Sequence, residues 1–229
     1  MFRGKRIGSY LPDCRLYISV LLLFWFVAIF PTTADAKWEY WNSYDVQCPL
    51  TEKICLRVKP EMRYDAGLNN HYRTHVDLGL DWKVNGWLTL GPYYRHIKEK
   101  NKDAWKTEYR PHFNAKLNWR MLGMDFSNRG RLEYRIKEGG DNESFRYRNK
   151  IGFKLPKVEF LGFEPYFAVE PFYDFDADEF TKNRIYMGAC FAVAGSLKAD
   201  LYYMIESRRK KNENWKEVNV FGFGFKYKF

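Results

Sequence analysis

The sequence closes on Asn219-Val-Phe-Gly-Phe-Gly-Phe-Lys-Tyr-Lys-Phe229, and this stretch decides the fold class. Its aromatic residues recur at every second position, so all of them fall on one face of a β-strand. A terminal Phe with a Tyr two residues before it is typical of the closing strand of a transmembrane barrel, where an open edge would leave backbone groups unpaired in lipid. The stretch therefore predicts an all-β transmembrane barrel. The aromatic row is Phe221, Phe223, Phe225, Tyr227 and Phe229, of which the last three form the closing-strand signal.

The start of the chain predicts export. Four basic residues precede an apolar run of fifteen residues, Leu16 to Phe30. Ala34-Asp-Ala36 lies three residues after this run. A basic segment, a short apolar segment and small residues before a cleavage site are typical of a secretory signal peptide. Fifteen residues also fall short of the roughly 20 that a transmembrane helix needs. We therefore expect a cleavable signal peptide over residues 1–36 and one barrel domain over residues 37–229.

The composition after residue 36 excludes a helical membrane protein. Residues 37–229 hold 34 Lys and Arg against 26 Asp and Glu, a formal charge of +8, and no second long apolar run. The mean hydropathy of the whole chain is −0.56. These values are compatible with a barrel, because outward apolar and inward polar residues average out along each strand.

The alternation of apolar and polar residues continues through the chain, for example from Tyr72 to Trp82 and from Tyr109 to Trp119, with the first residue of each run on the apolar face. It predicts an antiparallel barrel of about ten to twelve strands. Ten strands lie between Ile54 and Phe229, which would put both of their ends on the periplasmic side. Trp38 to Val46 is an additional strand whose pairing the sequence leaves open. Long polar connections are expected outside and short connections inside.

Cysteines and histidines indicate no metal site and no cofactor. Cys48 and Cys55 flank a short predicted turn, and an oxidising compartment would favour a local disulfide between them. Cys190 is left as a small residue on the inward face. None of the four histidines has metal-ligand spacing.

The predicted inward face is rich in charged side chains, and two interpretations compete. Arg and Glu could cross a narrow barrel as a paired network that fills it. Alternatively, rings of basic residues could form a narrow anion-preferring pore for small solutes. The candidate charge network is Arg63, Arg95, Glu108, Arg110, His112, Arg131, Glu133, Arg135, Arg146, Arg148, Glu170 and Arg184.

The expected partners follow from the compartment. The outer-membrane lipid and lipopolysaccharide are candidates, the latter through the basic loop Arg208-Arg-Lys-Lys211, because basic loops bind lipid phosphates. The C-terminal strand is expected to engage the barrel-assembly machinery. Nucleic-acid binding is not expected, because the aromatic and basic residues lie on opposite strand faces and the chain is exported.

The sequence gives little support to an enzyme. In the barrel hydrolases a His and a Ser two residues later share one strand face, and no histidine of this chain is followed by Ser in that way. Acidic pairs could activate water, yet carboxylates among so many arginines are explained as ion-pair partners. Glu170 and His112 are the weak candidates for an enzyme, and no residue is predicted as catalytic.

Five segments carry a resemblance to a known family: Thr107–His112, Asn128–Arg135, Phe145–Asn149, Glu170–Asp174 and Asn183–Gly188. They resemble an uncharacterised family called domain of unknown function 2490. The resemblance implies a β-barrel in the outer membrane of Gram-negative-type bacteria. The family has no established activity, so no residue inherits a role from it. Tyr72 to Trp82 and the closing strand fit the family as well, so the resemblance spans most of residues 37–229.

Overall fold

The computed structural model describes residues 37–229 apart from 67, 102–103, 140–142, 160 and 210–212. The predicted signal peptide therefore lies outside the described residues. The described part is all-β, and it contains no helix that is long and apolar enough to cross a membrane.

Eleven strands of 12 to 18 residues make up the fold. They are β1 (Lys37–Pro49), β2 (Ile54–Asp65), β3 (His71–Lys83), β4 (Leu88–Asn101), β5 (Ala104–Met121), β6 (Met124–Lys137), β7 (Glu143–Lys154), β8 (Phe163–Asp174), β9 (Glu179–Ala194), β10 (Leu197–Arg208) and β11 (Lys216–Lys228).

The strands close into a barrel in sequence order, and the closing pair is parallel. Each strand pairs antiparallel with the next one along the chain, whereas β1 and β11 run in the same direction with Trp41 opposite Gly222. The prediction of a purely antiparallel barrel was therefore wrong at this seam. Consecutive antiparallel strands reverse direction at each step, so the first and last strands of an odd-numbered barrel must be parallel. The barrel thus has a Lys37 end and a Phe229 end.

The connections do not divide into long and short sets as the sequence suggested. Those at the Lys37 end run from two residues (102–103) to seven (209–215), and those at the Phe229 end from two (122–123) to eight (155–162). Connection length therefore gives no orientation.

The two faces of the barrel wall have opposite chemistry, as the alternation predicted. Large apolar side chains on the outer face stay exposed: Leu78 is 49% exposed, Phe113 47% and Leu132 46%. Most buried side chains on the inner face are instead polar or charged. In most proteins apolar side chains lie inside and charged side chains lie outside, and a charged side chain is almost never fully buried unless it is paired. In this barrel the apolar side chains lie outside and the charged ones inside.

Aromatic side chains form rims on the outer face near both ends. At the Phe229 end the rings of Trp119, Phe126, Phe153 and Phe167 follow one another across four strands at centroid distances of 5.6, 6.0 and 5.5 Å. At the Lys37 end the His71 ring lies 5.3 Å from that of Trp105.

The glycines of the closing strand are required by close packing on the inner face. The ring of Tyr202 lies directly over Gly222, where a Cβ atom would overlap it. Aromatic rings on the outer face stack across the same seam, with the Trp38 and Phe221 centroids 5.2 Å apart. In this stretch the glycines thus leave room for side chains on the inner face, and the aromatic residues stack on the outer face.

Tyr72 does not lie on the apolar face, contrary to the prediction. The register between β2 and β3 shifts between Arg63 and Tyr64, opposite the start of β3. This β-bulge lets the Tyr72 hydroxyl donate a hydrogen bond to Glu39 on the inner face.

The predicted disulfide between Cys48 and Cys55 is absent, and both thiols are free. The register explains why. Cys48 lies opposite Leu56, whereas Cys55 lies opposite Pro49, so the two side chains point to opposite faces of the wall. A disulfide would require a shift of register by one residue.

Candidate functional site

The structure brings the twelve residues of the predicted charge network together inside the barrel. Each lies on the inner face of its strand, and all except Arg135 are buried. The remaining question is whether they fill the barrel or surround free space. The two halves of the interior differ in this respect.

Glu133 on β6 is the centre of the filled half. It is 0% exposed, and four arginines surround its carboxylate. Their nearest nitrogens lie 2.6 Å (Arg146), 3.2 Å (Arg148), 3.5 Å (Arg110) and 3.6 Å (Arg131) from its oxygens. Charge-assisted contacts of this kind are among the strongest that side chains make.

The ion pairs continue around the wall through two further glutamates. Glu170 on β8 accepts a hydrogen bond from Arg129 at 2.7 Å and from the Tyr186 hydroxyl at 2.9 Å. Glu206 on β10 lies 2.7 Å from Arg184 and 3.0 Å from Lys182. Since Arg148 and Arg184 also approach Glu170, the network links β6 to β10 without a break.

Glu39 carries the network across the parallel seam to β1. It is 2% exposed and accepts hydrogen bonds from Tyr72 and, at 3.0 Å, from the Trp41 indole. Arg208 of β10 lies 3.4 Å from Glu39 and also 3.4 Å from Glu206. Side chains therefore link β1 to β10 across the backbone pairing of β1 with β11.

Phe172 packs at the centre of these charges. Its ring is 1% exposed, and the guanidinium carbons of Arg184 and Arg146 lie 4.9 and 5.2 Å from its centroid. Such distances are typical of cation–π contacts. We call this filled region the packed layer. It consists of Glu39, Ile97, Arg110, Glu133, Arg146, Phe172, Met204, Glu206 and Val220.

The half of the interior nearer the Phe229 end holds a cavity of about 170 Å³, which we call the basic cavity. None of the packed-layer residues lines it. Its cationic lining residues are Arg57, Lys59, Arg63, Arg95, Lys116, Arg129, Arg131, Arg148, Lys150 and Arg184. Its acidic lining residues are Glu61, Asp77, Asp81, Glu170 and Asp200.

A second space of about 350 Å³, the vestibule, adjoins the basic cavity at the Phe229 end. The two share Arg57, Asp81, Thr89 and Lys116 in their walls. The vestibule adds four lysines and one glutamate, so cavity and vestibule together are lined by fourteen basic and six acidic residues. This excess of eight equals the formal charge of residues 37–229. The added residues are Glu52, Lys53, Lys83, Lys226 and Lys228.

Several basic groups on the cavity wall form no hydrogen bond or no ion pair within the described residues. Arg131 Nη1 and Arg148 Nε are buried and form no hydrogen bond within the described residues, although each lies at ion-pair distance from Glu133. Lys59 and Lys116 form no ion pair in the described part of the chain. Lys150 lies over the Tyr186 ring at 3.5 Å. The cavity wall can therefore donate to an anion.

The two weak candidates for an enzyme have separate surroundings. His112 stacks on Tyr93 with centroids 5.3 Å apart, and its Nδ1 lies 3.2 Å from the Arg110 carbonyl oxygen. Glu170 is engaged by arginines instead. No group of three or more His, Cys, Asp or Glu among the described residues could hold a metal ion.

A comparison with family models identifies the chain. The model of the family described as "Protein of unknown function (DUF2490)" matches residues 38–217. The chain belongs to this family. Neither a search of curated proteins nor a search of solved structures found a match. The description of DUF2490 assigns no chemistry, so the interior of this member must be interpreted from its own residues.

Two functional features of this DUF2490 member were not predicted from the sequence. Arg129 and Lys150 belong to the cavity wall, and continuing the alternation two positions before Arg131 would have found the first. Of the predicted basic loop, Arg208 ends β10 and pairs with Glu39, and Arg209 pairs with Glu179 at 2.8 Å, whereas contact of the loop with lipopolysaccharide stays a prediction. Residues 210–212 lie outside the described residues.

Proposed function

We propose that the protein is an outer-membrane barrel that binds small anionic solutes in the basic cavity, with entry through the vestibule. In this proposal the packed layer closes the other half of the barrel. The proposal combines two parts, a location in the membrane and a ligand of negative charge, and each has its own support.

The outer face supports the membrane location. Every strand has at least 12 residues, which exceeds the 9–11 or so that a tilted strand needs to cross a bilayer. The exposed apolar side chains between two aromatic rims match the band that lipid requires. Lipid and lipopolysaccharide would then surround the wall. The predicted closing-strand signal supports a periplasmic Phe229 end.

The distribution of charge is the observation that best supports an anionic ligand. The whole positive excess of residues 37–229 is matched by the residues that line the cavity and the vestibule. Low-dielectric walls of one sign concentrate ions of the opposite sign. A barrel that used charges only to fill its interior would balance them locally, as the packed layer does around Glu39 and Glu206.

The packed layer argues against an open pore. Glu133, Phe172 and Met204 are each no more than 1% exposed, so their level of the barrel is filled by side chains. Conduction by the rings of charge that the sequence suggested would require free space along the whole axis. We therefore favour a binding cavity that opens at one end over a conduit.

The exposed end of the closing strand fits a role in insertion. Tyr227 is 40% exposed and Phe229 72% exposed. We propose that these side chains engage the barrel-assembly machinery before β11 pairs with β1.

One experiment tests the proposed function. Residues 37–229 would be refolded in detergent micelles, and calorimetric titration would measure the binding of acetate, inorganic phosphate and, as a cationic control, tetramethylammonium. The same preparation would be reconstituted into liposomes, where flotation of the protein with the lipid shows insertion, and then into a planar bilayer. We expect anions to bind, the cation not to bind, and the bilayer current to stay at baseline. Lack of insertion would contradict the membrane location, and lack of anion binding would contradict the ligand class.

A further inference from the structure

Four basic side chains on the inner face of β6 and β7 form an unusual group, the β6–β7 cation patch. It consists of Arg129, Arg131, Arg148 and Lys150. Arg129 lies directly opposite Lys150, and Arg131 lies directly opposite Arg148. Like charges in directly opposed positions destabilise a sheet. The patch therefore requires a compensating charge.

The available carboxylates do not supply that charge. Only Glu133 and Glu170 pair with the patch among the described residues. Both carboxylates are shared, because Glu133 also pairs with Arg110 and Arg146, and Glu170 also pairs with Arg184. Of the six arginines that contact these two carboxylates, Arg110 and Arg184 also pair with Glu108 and Glu206, so two negative charges serve the remaining four. Lys150 has no ion pair in the described part of the chain.

All three arginines of the patch belong to the wall of the basic cavity. Arg131 is 4% exposed and Arg148 is 5% exposed, and both belong to the cavity wall. Arg131 Nη1, Arg148 Nε and Arg129 Nε each lack a hydrogen-bond acceptor within the described residues. Buried polar groups are almost always satisfied by protein, water or ligand. Arg131 Nη1 and Arg148 Nε share Glu133 Oε1 as their nearest carboxylate oxygen, at 3.6 and 3.2 Å, so one oxygen serves two guanidinium groups and the wall can bind a polyvalent acceptor as well.

We propose that the β6–β7 cation patch binds the phosphate group of a small phosphorylated polyhydroxy compound. This inference rests on the proposed function, because it names the anion that the basic cavity takes. A phosphate monoester carries about −1.5 to −2 charges at pH 7, close to the excess of two that remains when the four cations share two carboxylates. Planar guanidinium groups also match phosphate oxygens with paired hydrogen bonds.

The rest of the cavity suits an uncharged, hydroxyl-bearing portion of the ligand. Its volume of about 170 Å³ is comparable to the ~150 Å³ of an engineered cavity that admits a benzene-sized molecule. Phosphate alone would leave part of this space unused. Tyr166 on β8 and Asp200 and Tyr202 on β10 line another part of the wall. These groups accept and donate hydrogen bonds, and the Asp200 carboxylate disfavours a second anion there.

The test uses the refolded barrel in detergent and four probes: glycerol 3-phosphate, glycerol, inorganic phosphate and acetate. Lys150→Gln and Arg131→Gln each remove one charge from the patch. Arg146→Gln is the matched control, because it removes one buried charge that pairs with Glu133 but lies outside the cavity wall. The double variant Lys226→Gln/Lys228→Gln tests the vestibule instead. Far-UV circular dichroism shows whether each variant is folded.

We expect glycerol 3-phosphate to bind more tightly than inorganic phosphate and acetate, and glycerol alone not to bind. Each patch variant should bind glycerol 3-phosphate about tenfold or more weakly than the parent, since charge-assisted hydrogen bonds are lost. Arg146→Gln should leave its affinity within about threefold of the parent, because the patch donors remain in place.

Four results would overturn the inference. If inorganic phosphate binds as tightly as the ester, the inference that the ligand has a hydroxyl-bearing portion is wrong. If acetate binds as tightly as both phosphates, or if only the vestibule variant weakens binding, the patch is not a phosphate site although the proposed function stands. If no anion binds to the folded parent, both the inference and the proposed function fail.

Discussion

The two halves of the barrel interior contain the same residue types but use them differently. In the packed layer, carboxylates and guanidinium groups contact each other directly, and Glu133 alone is surrounded by four arginines. In the basic cavity and vestibule, basic side chains outnumber acidic ones by fourteen to six around free space. Residue type therefore does not distinguish a filled interior from a binding cavity. The local ratio of charges and the remaining volume do.

The largest effect is expected in the packed layer. Glu133→Gln removes the carboxylate shared by four buried arginines and leaves their charges facing each other. Removing one partner of a buried ion pair costs about 3–5 kcal/mol, and we expect the upper part of that range. Urea titration in detergent micelles, followed by tryptophan fluorescence, measures the free energy of unfolding.

Glu164→Gln is the control for this variant. Glu164 is also a glutamate on the inner face, but among the described residues it pairs with Lys154 alone, at 3.2 Å, and its side chain is 36% exposed. Exposed ion pairs contribute about 0–1 kcal/mol, so the variant should unfold almost as the parent does. If Glu133→Gln and Glu164→Gln lowered the free energy of unfolding equally, the division of the interior into two regions would be contradicted.

Phe172→Ala tests whether the packed layer is what closes the barrel. Deleting a buried aromatic side chain costs about 3 kcal/mol and leaves a cavity. Because four cations lie within 5.9 Å of this ring, the new space should connect to a positively charged wall. We expect anion-selective current steps in a planar bilayer from this variant and none from the parent protein. A silent, folded variant would show that other side chains close the layer.

Lys150→Met should stabilise the barrel, whereas the packed-layer variants should destabilise it. Lys150 lies opposite Arg129 and forms no ion pair within the described residues, so its removal relieves repulsion in the cavity wall. We expect the free energy of unfolding to rise by about 0.2–1 kcal/mol, the range for cross-strand pairs. The gain should shrink when phosphate is added, since the anion offsets the same repulsion in the parent. A loss of stability would mean that Lys150 belongs to the packed network.

The smallest effect concerns the cysteines at the vestibule. Cys55 lines the vestibule and Cys48 points to the outer face, so no disulfide joins them. We expect a reducing agent to change the free energy of unfolding by less than about 0.5 kcal/mol, whereas loss of a native disulfide usually costs about 2–5 kcal/mol. A larger change would contradict the register of β1 and β2.

Much of the fold could be predicted from the alternation of residues. Period 2 assigns each side chain to a face, so the sequence placed all twelve network residues inside. Tyr72 escaped this rule because a β-bulge adds one residue and inverts the face locally. The parallel seam was not predicted, because pairing of β1 with β11 depends on contacts between distant parts of the chain rather than on any local pattern.

The candidate site was harder to predict than the fold. Alternation shows that Arg131 and Glu133 point inward, but it does not show how far each lies along the barrel axis relative to residues on other strands. That position depends on register between all neighbouring strands. The separation into a packed layer and a basic cavity, and the membership of Arg129 and Lys150 in one patch, emerged only once the register was known.

The parallel seam makes barrel closure a late kinetic event. Trp38 pairs with Asn219, and the backbone N–H of the last residue, Phe229, donates to the carbonyl of Gln47 at 3.0 Å. Contacts across such a long stretch of chain form slowly, because loop-closure entropy precedes any gain from pairing. Until the final dozen residues dock, β1 and β11 both expose unpaired edges that can join another chain. Truncations near Phe229 should therefore slow folding and promote aggregation far more than they lower the stability of barrels that have already closed.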